Sequence, residues 1–243
     1  MNQTIDLLKN HRSIRKFTSE KVSDEKLIAI IESAESAATS NFIQAYSVIR
    51  VTKPENRKQL AAFAGGQAWI EQCPVFLVFC ADLKRAQSAC TFENKEMDSG
   101  YTEQFLVATV DVTLAAQNAM IAAESMGLGG VYIGGLRNQP DNVAKLLKLP
   151  EHVYPIFGMC LGYPDETPEQ KPRMPAKMIL KDDYYSEGDD DLSQYNEICS
   201  EYYKNRTSGS RDETWTHQIA NMVSVPARPH MKGFLKQQGF DVK

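Results

Sequence analysis

The stretch LAAQNAMIAAESMGLGGVYIGGLRN (114–138) joins the end of a long apolar segment to a glycine-rich one. Residues 103–126 are apolar nearly all round at helical spacing and stop at Gly127, which predicts one long helix. The segment GGVYIGG (129–135) follows directly and predicts a strand. Because such a helix belongs in the middle of a protein or in a subunit interface, this stretch decides how the rest of the chain is arranged.

Segments on both sides of this stretch predict further helices and strands. Helices are predicted up to about Asn10 and over 23–37, 54–66 and 141–149, and strands over 46–52, 74–82 and 153–163. The run PVFLVFCAD (74–82) is apolar throughout, which is typical of a central strand covered on both faces. The order mixes helices with four or five strands around one sheet, which predicts an α+β or α/β fold.

Composition and charge argue against several classes of protein. The formal net charge of −4 disfavours general nucleic-acid binding, which a basic surface would drive. Polar residues, among them Asp111 and Glu124, interrupt the long helix, so we do not expect it to span a bilayer, and we expect no export signal at the N-terminus. The cysteines are scattered without a CxxC pair, which predicts reduced thiols in a cytoplasmic protein and no metal site. They are Cys73, Cys80, Cys90, Cys160 and Cys199.

The segment KNHRSIRKFT (9–18) carries dense positive charge just after the first predicted helix. Two guanidinium groups, Arg12 and Arg15, and the Ser13 hydroxyl are donors that match a phosphate monoester. The alternative is that basic residues here complement the helix dipole and face water.

A second basic pair stands in KPRMPAK (171–177). Lys171 and Arg173 flank a proline that stiffens the segment, so both cations could be held at a fixed angle. Taken by itself, the pair is better explained as part of a solvated loop.

The glycines of GLGGVYIGG (127–135) do not form a dinucleotide-binding fingerprint. Tyr132 occupies the position of the third glycine, and these glycines precede a strand, whereas the fingerprint follows a strand and opens a helix. Gly134 and Gly135 would let a backbone approach a flat ligand closely. A tight turn without a ligand explains them equally well.

The composition changes near residue 182, where DDYYSEGDDDLSQ begins an acidic and polar region. The residues after it alternate short amphipathic segments with polar loops, and they contain too little apolar surface for a core of their own. We therefore expect a core over 1–181 and a helical C-terminal extension over 182–243 that packs on the core or on a partner subunit.

Taken in order, the motifs resemble those of the FMN-dependent nitroreductase family, in its A-type NAD(P)H nitroreductase and flavin reductase branch. The resemblance runs from about residue 4 to the C-terminus. It implies a nitroreductase-like α+β fold with a central mixed or antiparallel sheet flanked by helices. It also implies an intertwined homodimer with two FMN sites at the interface. The segments that carry it are HRSIRKFT, SAESAATSNFIQAYSVIRV, LAAQNAMIAAESMGLGGVYIGGLRN, LPEHVYPIFGMCLGYP, KPRMP and YYKNRTSGSRDETW.

The resemblance assigns the FMN site to several groups of residues. The phosphate and ribityl chain would be held by His11, Arg12, Ser13, Arg15, Lys171 and Arg173. The flavin edge and the substrate pocket would be lined by Thr39, Ser40 and Asn41, with Gln67 bonded to the ring or the ribityl chain. The backbone amides of Gly134 and Gly135 would lie near the reactive edge of the ring.

The resemblance also assigns residues to the two substrates. Phe42 would line the pocket above the ring. The 2′-phosphate of NADPH would be bound by Arg206 and Arg211, with help from Arg228. Val225 stands where some relatives carry a basic residue, so we expect NADPH to be preferred and NADH to remain usable. The segment CTFENKEMDSGYTEQ (90–104) differs from some relatives and leaves one wall of the pocket undefined.

The resemblance implies a ping-pong reaction in which NAD(P)H donates two electrons and a nitroaromatic, a quinone or a flavin receives them. Flavin N5 would carry the chemistry, so no side chain is nominated as catalytic and no metal is expected. Two alternatives stay open. One is a flavin reductase that supplies reduced FMN to a partner, and the other is a non-catalytic flavin-binding redox sensor.

Overall fold

The computed structural model describes residues 2–187, 191–206 and 209–240. The chain forms two compact units, one of residues 1–167 with 228–243 and one of residues 168–227. The boundaries of these units differ from the predicted boundary at 181/182. The division into a core over 1–181 and an extension over 182–243 remains a prediction.

The described helices and strands follow the predicted order. In the first unit they are α1 (Gln3–Lys9), α2 (Asp24–Glu35), β1 (Tyr46–Arg50), α3 (Pro54–Phe63), α4 (Trp69–Gln72), β2 (Val75–Asp82), α5 (Lys84–Phe92), α6 (Thr102–Ser125), β3 (Gly129–Ile133), α7 (Pro140–Leu147) and β4 (Val153–Gly162). The second unit contains α8 (Ala176–Ile179), α9 (Leu192–Asn205) and α10 (Trp215–Val223), and the chain then returns to the first unit with α11 (Met231–Gln237). Short 3-10 turns cover Ser40–Phe42 and Gly134–Asn138.

The sheet has the order β1-β2-β4-β3 and all three of its pairings are antiparallel. Val48 pairs with Phe79, and Leu77 pairs with Met159. Strand β2 is buried along its whole length, as its apolar sequence predicts. The predicted α+β class is therefore confirmed, with an antiparallel sheet.

Each face of the sheet is covered by helices. Side chains of β2 alternate between the two faces, so Leu77 and Phe79 pack with α2 and α6 on one face. Phe76 and Val78 pack with α3, α4 and α7 on the other. This two-sided core fixes the loops at the strand ends, where two groups of predicted site residues, 39–42 and 134–135, lie.

Helix α6 is the central helix that the sequence predicts. Its buried face is rich in alanine, including Ala108, Ala115 and Ala119, and these small side chains let it lie close to its neighbours. Its opposite face exposes Leu106 (49%), Val110 (53%) and Leu114 (44%), which repeat every four residues and form one apolar stripe. By length and composition α6 could cross a membrane, a test that core helices of soluble proteins also pass, and its alanine face is packed in the core.

The C-terminal residues complete the core of the first unit. Phe234, Leu235 and Phe240 are buried in the same cluster as α6. The ring of Phe240 lies edge-on to Tyr154 with centroids 4.7 Å apart, and the backbone N–H of His152 donates to Gln238 O at 2.8 Å. Part of the predicted extension is thus an integral part of the main core.

Candidate functional site

The basic segment 9–18 is fixed to the edge strand β3. Ser13 forms a parallel bridge with Gly130, and the backbone N–H of Ile14 donates to Gly130 O at 2.9 Å. A Cβ atom at Gly129 would lie 2.6 Å from Ile14 Cγ1, so a glycine is needed there for the segment to lie this close. Gly129 therefore lets the predicted phosphate-binding segment pack against β3.

Arg12 has a donor that the described residues do not satisfy. Its Nη1 donates to Asn10 O at 3.0 Å, but its Nε is buried without a hydrogen-bond partner among residues 2–187, 191–206 and 209–240. A buried unpaired donor costs about 1–3 kcal/mol, and more when it is charged. An anion at this position would remove that cost, which supports the phosphate hypothesis for this segment.

Arg15 lies beside an aromatic residue that the sequence analysis does not identify. Its Cζ is 5.8 Å from the centre of the Trp69 ring, and Trp69 Nε1 is also buried without a partner in the described part of the chain. The carboxylate of Glu166 accepts hydrogen bonds from the backbone N–H groups of Arg15 (2.5 Å) and Lys16 (3.0 Å). The Arg15 backbone is thus held in place while its guanidinium stays exposed.

His11 is tied to the C-terminal end of α6. Its Nδ1 donates to Glu124 Oε1 at 2.6 Å. With Nδ1 engaged by a carboxylate, Nε2 is the ring nitrogen that can contact a ligand.

The loop of residues 39–45 has an uncommon backbone. Asn41, Phe42 and Gln44 have φ angles of 47°, 59° and 51°, in the left-handed region that non-glycine residues rarely adopt. Phe42 is 81% exposed. Such strained residues persist only where the surrounding structure holds them, and they cluster at functional sites.

Asp111 is the residue that holds this loop. It lies in the middle of α6, is 1% exposed, and accepts hydrogen bonds from two backbone N–H groups. Its Oδ1 is 3.0 Å from Ser40 N and its Oδ2 is 3.1 Å from Ala45 N. In the sequence Asp111 is only an interruption of an apolar helix, although a carboxylate in the middle of such a helix is itself a signal of a buried polar contact.

Gln67 and the turn of residues 134–138 are brought together. A Cβ atom at Gly135 would lie 2.4 Å from Gln67 Nε2 and 2.5 Å from Ala64 O, and Gln67 Nε2 donates to Ala64 O at 2.8 Å. A Cβ atom at Gly134 would lie 3.3 Å from Arg137 Nη2. Close packing within the protein therefore accounts for Gly135, and the predicted role of these amides at a flavin stays a prediction.

Arg228 reaches the same turn from the C-terminal segment. Its Nε donates to Asn138 Oδ1 at 2.9 Å, and His230 Nε2 donates to Arg137 O at 2.9 Å. Burial, and secondarily the nearby Arg228, lower the pKa of Arg137. Arg137 thus lies beside Gly134, where its Nη1 also donates to Ile156 O, and it is a further residue near the predicted flavin edge that the sequence does not indicate.

The remaining predicted cations lie in the second unit, around Tyr203. The ring centre of Tyr203 is 4.2 Å from Arg211 Cζ, 5.4 Å from Arg206 Cζ and 5.7 Å from Lys171 Nζ. Arg173 lies near Tyr195, where burial raises the pKa of the Tyr195 hydroxyl to about 12 and Arg173 opposes that effect. Two residues of the predicted nucleotide loop, 207 and 208, lie outside the described residues.

Within the described residues, the cysteines and the metal-binding residue types form no further candidate site. All five cysteines are free thiols, as the sequence predicts. Across the described ranges, no group of three or more His, Cys, Asp or Glu side chains is placed to hold a metal ion.

Comparison with known proteins covers almost the whole chain. The sequence model of the Nitroreductase family matches residues 8–163, and that of the Nitroreductase family, C-terminal domain, matches residues 171–243. The chain is 44% identical to the oxygen-insensitive NADPH nitroreductase of Salmonella typhimurium, over 99% of each chain, and 41% identical to the FMN reductase (NADPH) of Bacillus subtilis, also over 99% of each.

A solved structure agrees with these sequence matches. The structure of B. megaterium NfrA1 superposes with a TM-score of 0.95 at 48% identity, covering 99% of this chain and 100% of that one. The fold, both sequence models and these relatives all agree with the resemblance that the motifs indicate. The chain belongs to the nitroreductase family.

Proposed function

We propose that this chain is an FMN-dependent NADPH oxidoreductase that reduces nitroaromatics, quinones or flavins by two electrons in a ping-pong reaction. The observation that carries the proposal is the basic segment on β3, where the buried Arg12 Nε is unpaired within the described residues. The names of the Salmonella and Bacillus relatives support the same activity.

The residues present fit FMN. Arg12, Ser13 and Arg15 offer guanidinium and hydroxyl donors that suit a terminal phosphate, and they stand on a segment that Ile14 anchors. Gln67 and the 134–135 backbone would contact the rest of the cofactor, whereas the assignment of Lys171 and Arg173 to the phosphate stays a prediction from the resemblance. Bound FMN would supply the redox chemistry of its ring system.

The protein's own residues would position the substrates. Thr39, Ser40 and Asn41 would orient the acceptor, on the loop that Asp111 holds. The exposed ring of Phe42 would cover the acceptor and exclude water from it. No side chain is assigned a proton-transfer role.

The test of this activity is turnover by the purified protein. We expect NADPH-dependent reduction of nitrofurazone, and we expect FMN, not FAD, to be released on denaturation. Faster turnover on free FMN than on nitrofurazone would favour the flavin reductase alternative. A bound flavin that NADPH does not reduce would contradict the enzyme and favour the redox sensor.

We also propose that the chain forms a homodimer through α6. The stripe of Leu106, Val110 and Leu114 is a continuous apolar surface on a helix whose other face is already buried.

We also propose a cytoplasmic location, with which the five free thiols agree.

The placement of the site residues gives this dimer a function. Asp111 anchors the loop of residues 39–45, and Glu124 anchors His11. These two carboxylates are 13 residues apart on α6. At ~1.5 Å per residue these anchors are about 20 Å apart. An antiparallel second copy along α6 would bring the basic segment of one subunit toward the loop of the other, so that each site takes residues from both subunits.

A charge in the stripe is expected to break the dimer. Val110→Glu would bury a carboxylate in the proposed interface, so we expect a monomeric or aggregated protein with little bound FMN. Val110→Thr has nearly the same shape without charge and should remain dimeric. Light scattering and the flavin absorbance of the two variants measure this, and a dimeric, yellow Val110→Glu protein would rule out the interface.

The preference for NADPH is expected to depend on the second unit. Arg206→Ala and Arg211→Ala should each raise KM for NADPH about tenfold, equivalent to about 1.4 kcal/mol, with little change for NADH. Lys177→Ala is the matched control, because Lys177 is an exposed cation of the same unit. Equal losses with both nucleotides would show that the two arginines do not bind the 2′-phosphate.

A further inference from the structure

Tyr203 is a buried residue that the proposed reaction does not yet use. It follows Tyr195 and Cys199 at four-residue spacing along α9 and is 2% exposed. Its hydroxyl donates to Gln218 Oε1 on α10 at 2.9 Å. The ring is therefore fixed by packing on one side and by a hydrogen bond at its tip.

Arg206 and Arg211 are held beside Tyr203 by hydrogen bonds as well as by their charge. The backbone N–H of Arg211 donates to Tyr203 O at 3.0 Å, and its guanidinium lies 4.2 Å from the centre of the ring. The backbone N–H of Arg206 donates to Tyr202 O at 3.1 Å, and its Nε donates to Gly209 O at 2.6 Å. Both guanidinium groups are thus held against the end of α9.

Within the described ranges these cations form no direct ion pair with a carboxylate, although Arg211 is near enough to Glu213 to help His217 lower the pKa of that carboxyl. The nearby acids already pair elsewhere, Asp212 with Lys204 at 3.4 Å and Glu213 with His217 at 2.6 Å. In the described ranges, Lys171, Arg206 and Arg211 form no ion pair with an acid. The ring face offsets part of their mutual repulsion through cation–π attraction, and a dianionic phosphate monoester would offset the rest.

We propose that Tyr203 is a specificity-determining residue that positions Arg206 and Arg211 for the 2′-phosphate of NADPH. This inference rests on the proposed function, which assigns the 2′-phosphate to those arginines. Tyr203 itself acts through them. The aromatic ring, rather than the hydroxyl, is the part that matters.

The test separates the ring from the hydroxyl. Tyr203→Leu removes the ring, and we expect KM for NADPH to rise about tenfold while KM for NADH and kcat with either nucleotide stay within twofold, because the cation–π contacts of the two arginines are lost. The hydrogen bond to Gln218 is lost as well, and Tyr203→Phe controls for it. Tyr203→Phe keeps the ring and should retain the wild-type KM for NADPH. If Tyr203→Leu does not fold, as judged by circular dichroism, Tyr203→Met provides a non-aromatic side chain of similar size.

A binding measurement distinguishes failure of this inference from failure of the proposed function. Titration of the holoenzyme with 2′,5′-ADP and with 5′-AMP should show a Kd that rises about tenfold for 2′,5′-ADP alone in Tyr203→Leu. If wild-type protein binds 2′,5′-ADP no more tightly than 5′-AMP, the assignment of the 2′-phosphate to this unit is wrong. If Arg211→Ala loses this preference and Tyr203→Leu keeps it, or if Leu and Phe lose it equally, the role of the Tyr203 ring is overturned.

Discussion

Replacing Asp111 with alanine is expected to destabilise the protein by about 3 kcal/mol and to raise KM for the electron acceptor several-fold. The change leaves the backbone N–H of the buried Ala45 without an acceptor, which costs about 1–3 kcal/mol, and it removes a charge-assisted hydrogen bond to the N–H of the exposed Ser40, which contributes about 1.5–3 kcal/mol. Without these bonds, the left-handed residues Asn41 and Phe42 lose the contacts that hold them in a strained conformation. Urea unfolding and steady-state kinetics with nitrofurazone measure the two effects.

Two further variants sharpen this prediction. Asp111→Asn keeps one acceptor oxygen but directs an amide donor at the second N–H, so its stability should lie between that of the wild type and that of the alanine variant. Asp24→Ala removes an exposed carboxylate that pairs with Arg50 at 2.8 Å, and it should cost less than about 1 kcal/mol. If Asp111→Ala is no less stable than Asp24→Ala, Asp111 does not hold the loop.

Replacing Arg15 with alanine is expected to weaken FMN binding by about 10- to 150-fold, because a charge-assisted hydrogen bond contributes about 1.5–3 kcal/mol. The backbone of residue 15 is held by Glu166 and by its neighbour Ile14, so the substitution should remove the side chain without moving the segment. Titration of the apoprotein with FMN, followed by quenching of flavin fluorescence, gives the affinity.

Lys16→Ala is the matched control for Arg15. Lys16 is the next residue, is exposed, and donates its backbone N–H to the same Glu166 oxygen at 3.0 Å. Both substitutions remove one positive charge from the same segment, so a general electrostatic effect would weaken binding equally in the two variants. If Arg15 contacts the phosphate directly, Arg15→Ala should bind FMN more than tenfold more weakly than Lys16→Ala does.

The sequence predicts the regular elements well because local patterns determine them. The helix periodicity of 103–126 and the apolar run of 74–82 correspond to α6 and β2 with shifts of one residue at their ends. Strand β1 ends earlier than predicted, at Arg50, because Val51 leaves the ladder although its backbone N–H still donates to Phe76 O.

The arrangement of the site depends on contacts that no local pattern contains. Asp111 binds amides 71 and 66 residues away, so neither its partners nor the left-handed backbone of the loop can be derived from the sequence around it. Trp69 and Arg137 become candidates only when Arg15 and Arg228 are seen beside them. The residue types in the sequence are enough to predict phosphate binding. The residues that support the site can be identified only from the folded structure.

The return of the chain to the first unit at residue 228 constrains the order of folding. Residues 168–227 are synthesised before the segment that contains α11, yet that segment supplies Phe234 and Phe240 to the core around α6. During translation the first unit therefore waits, with Tyr154 and its neighbours uncovered, until the whole second unit has been made. Incomplete cores of this kind expose apolar surface that aggregates or recruits chaperones. We expect this chain to be most prone to aggregation while residues 168–240 are being made, and slow translation of residues 168–227 would lengthen that period.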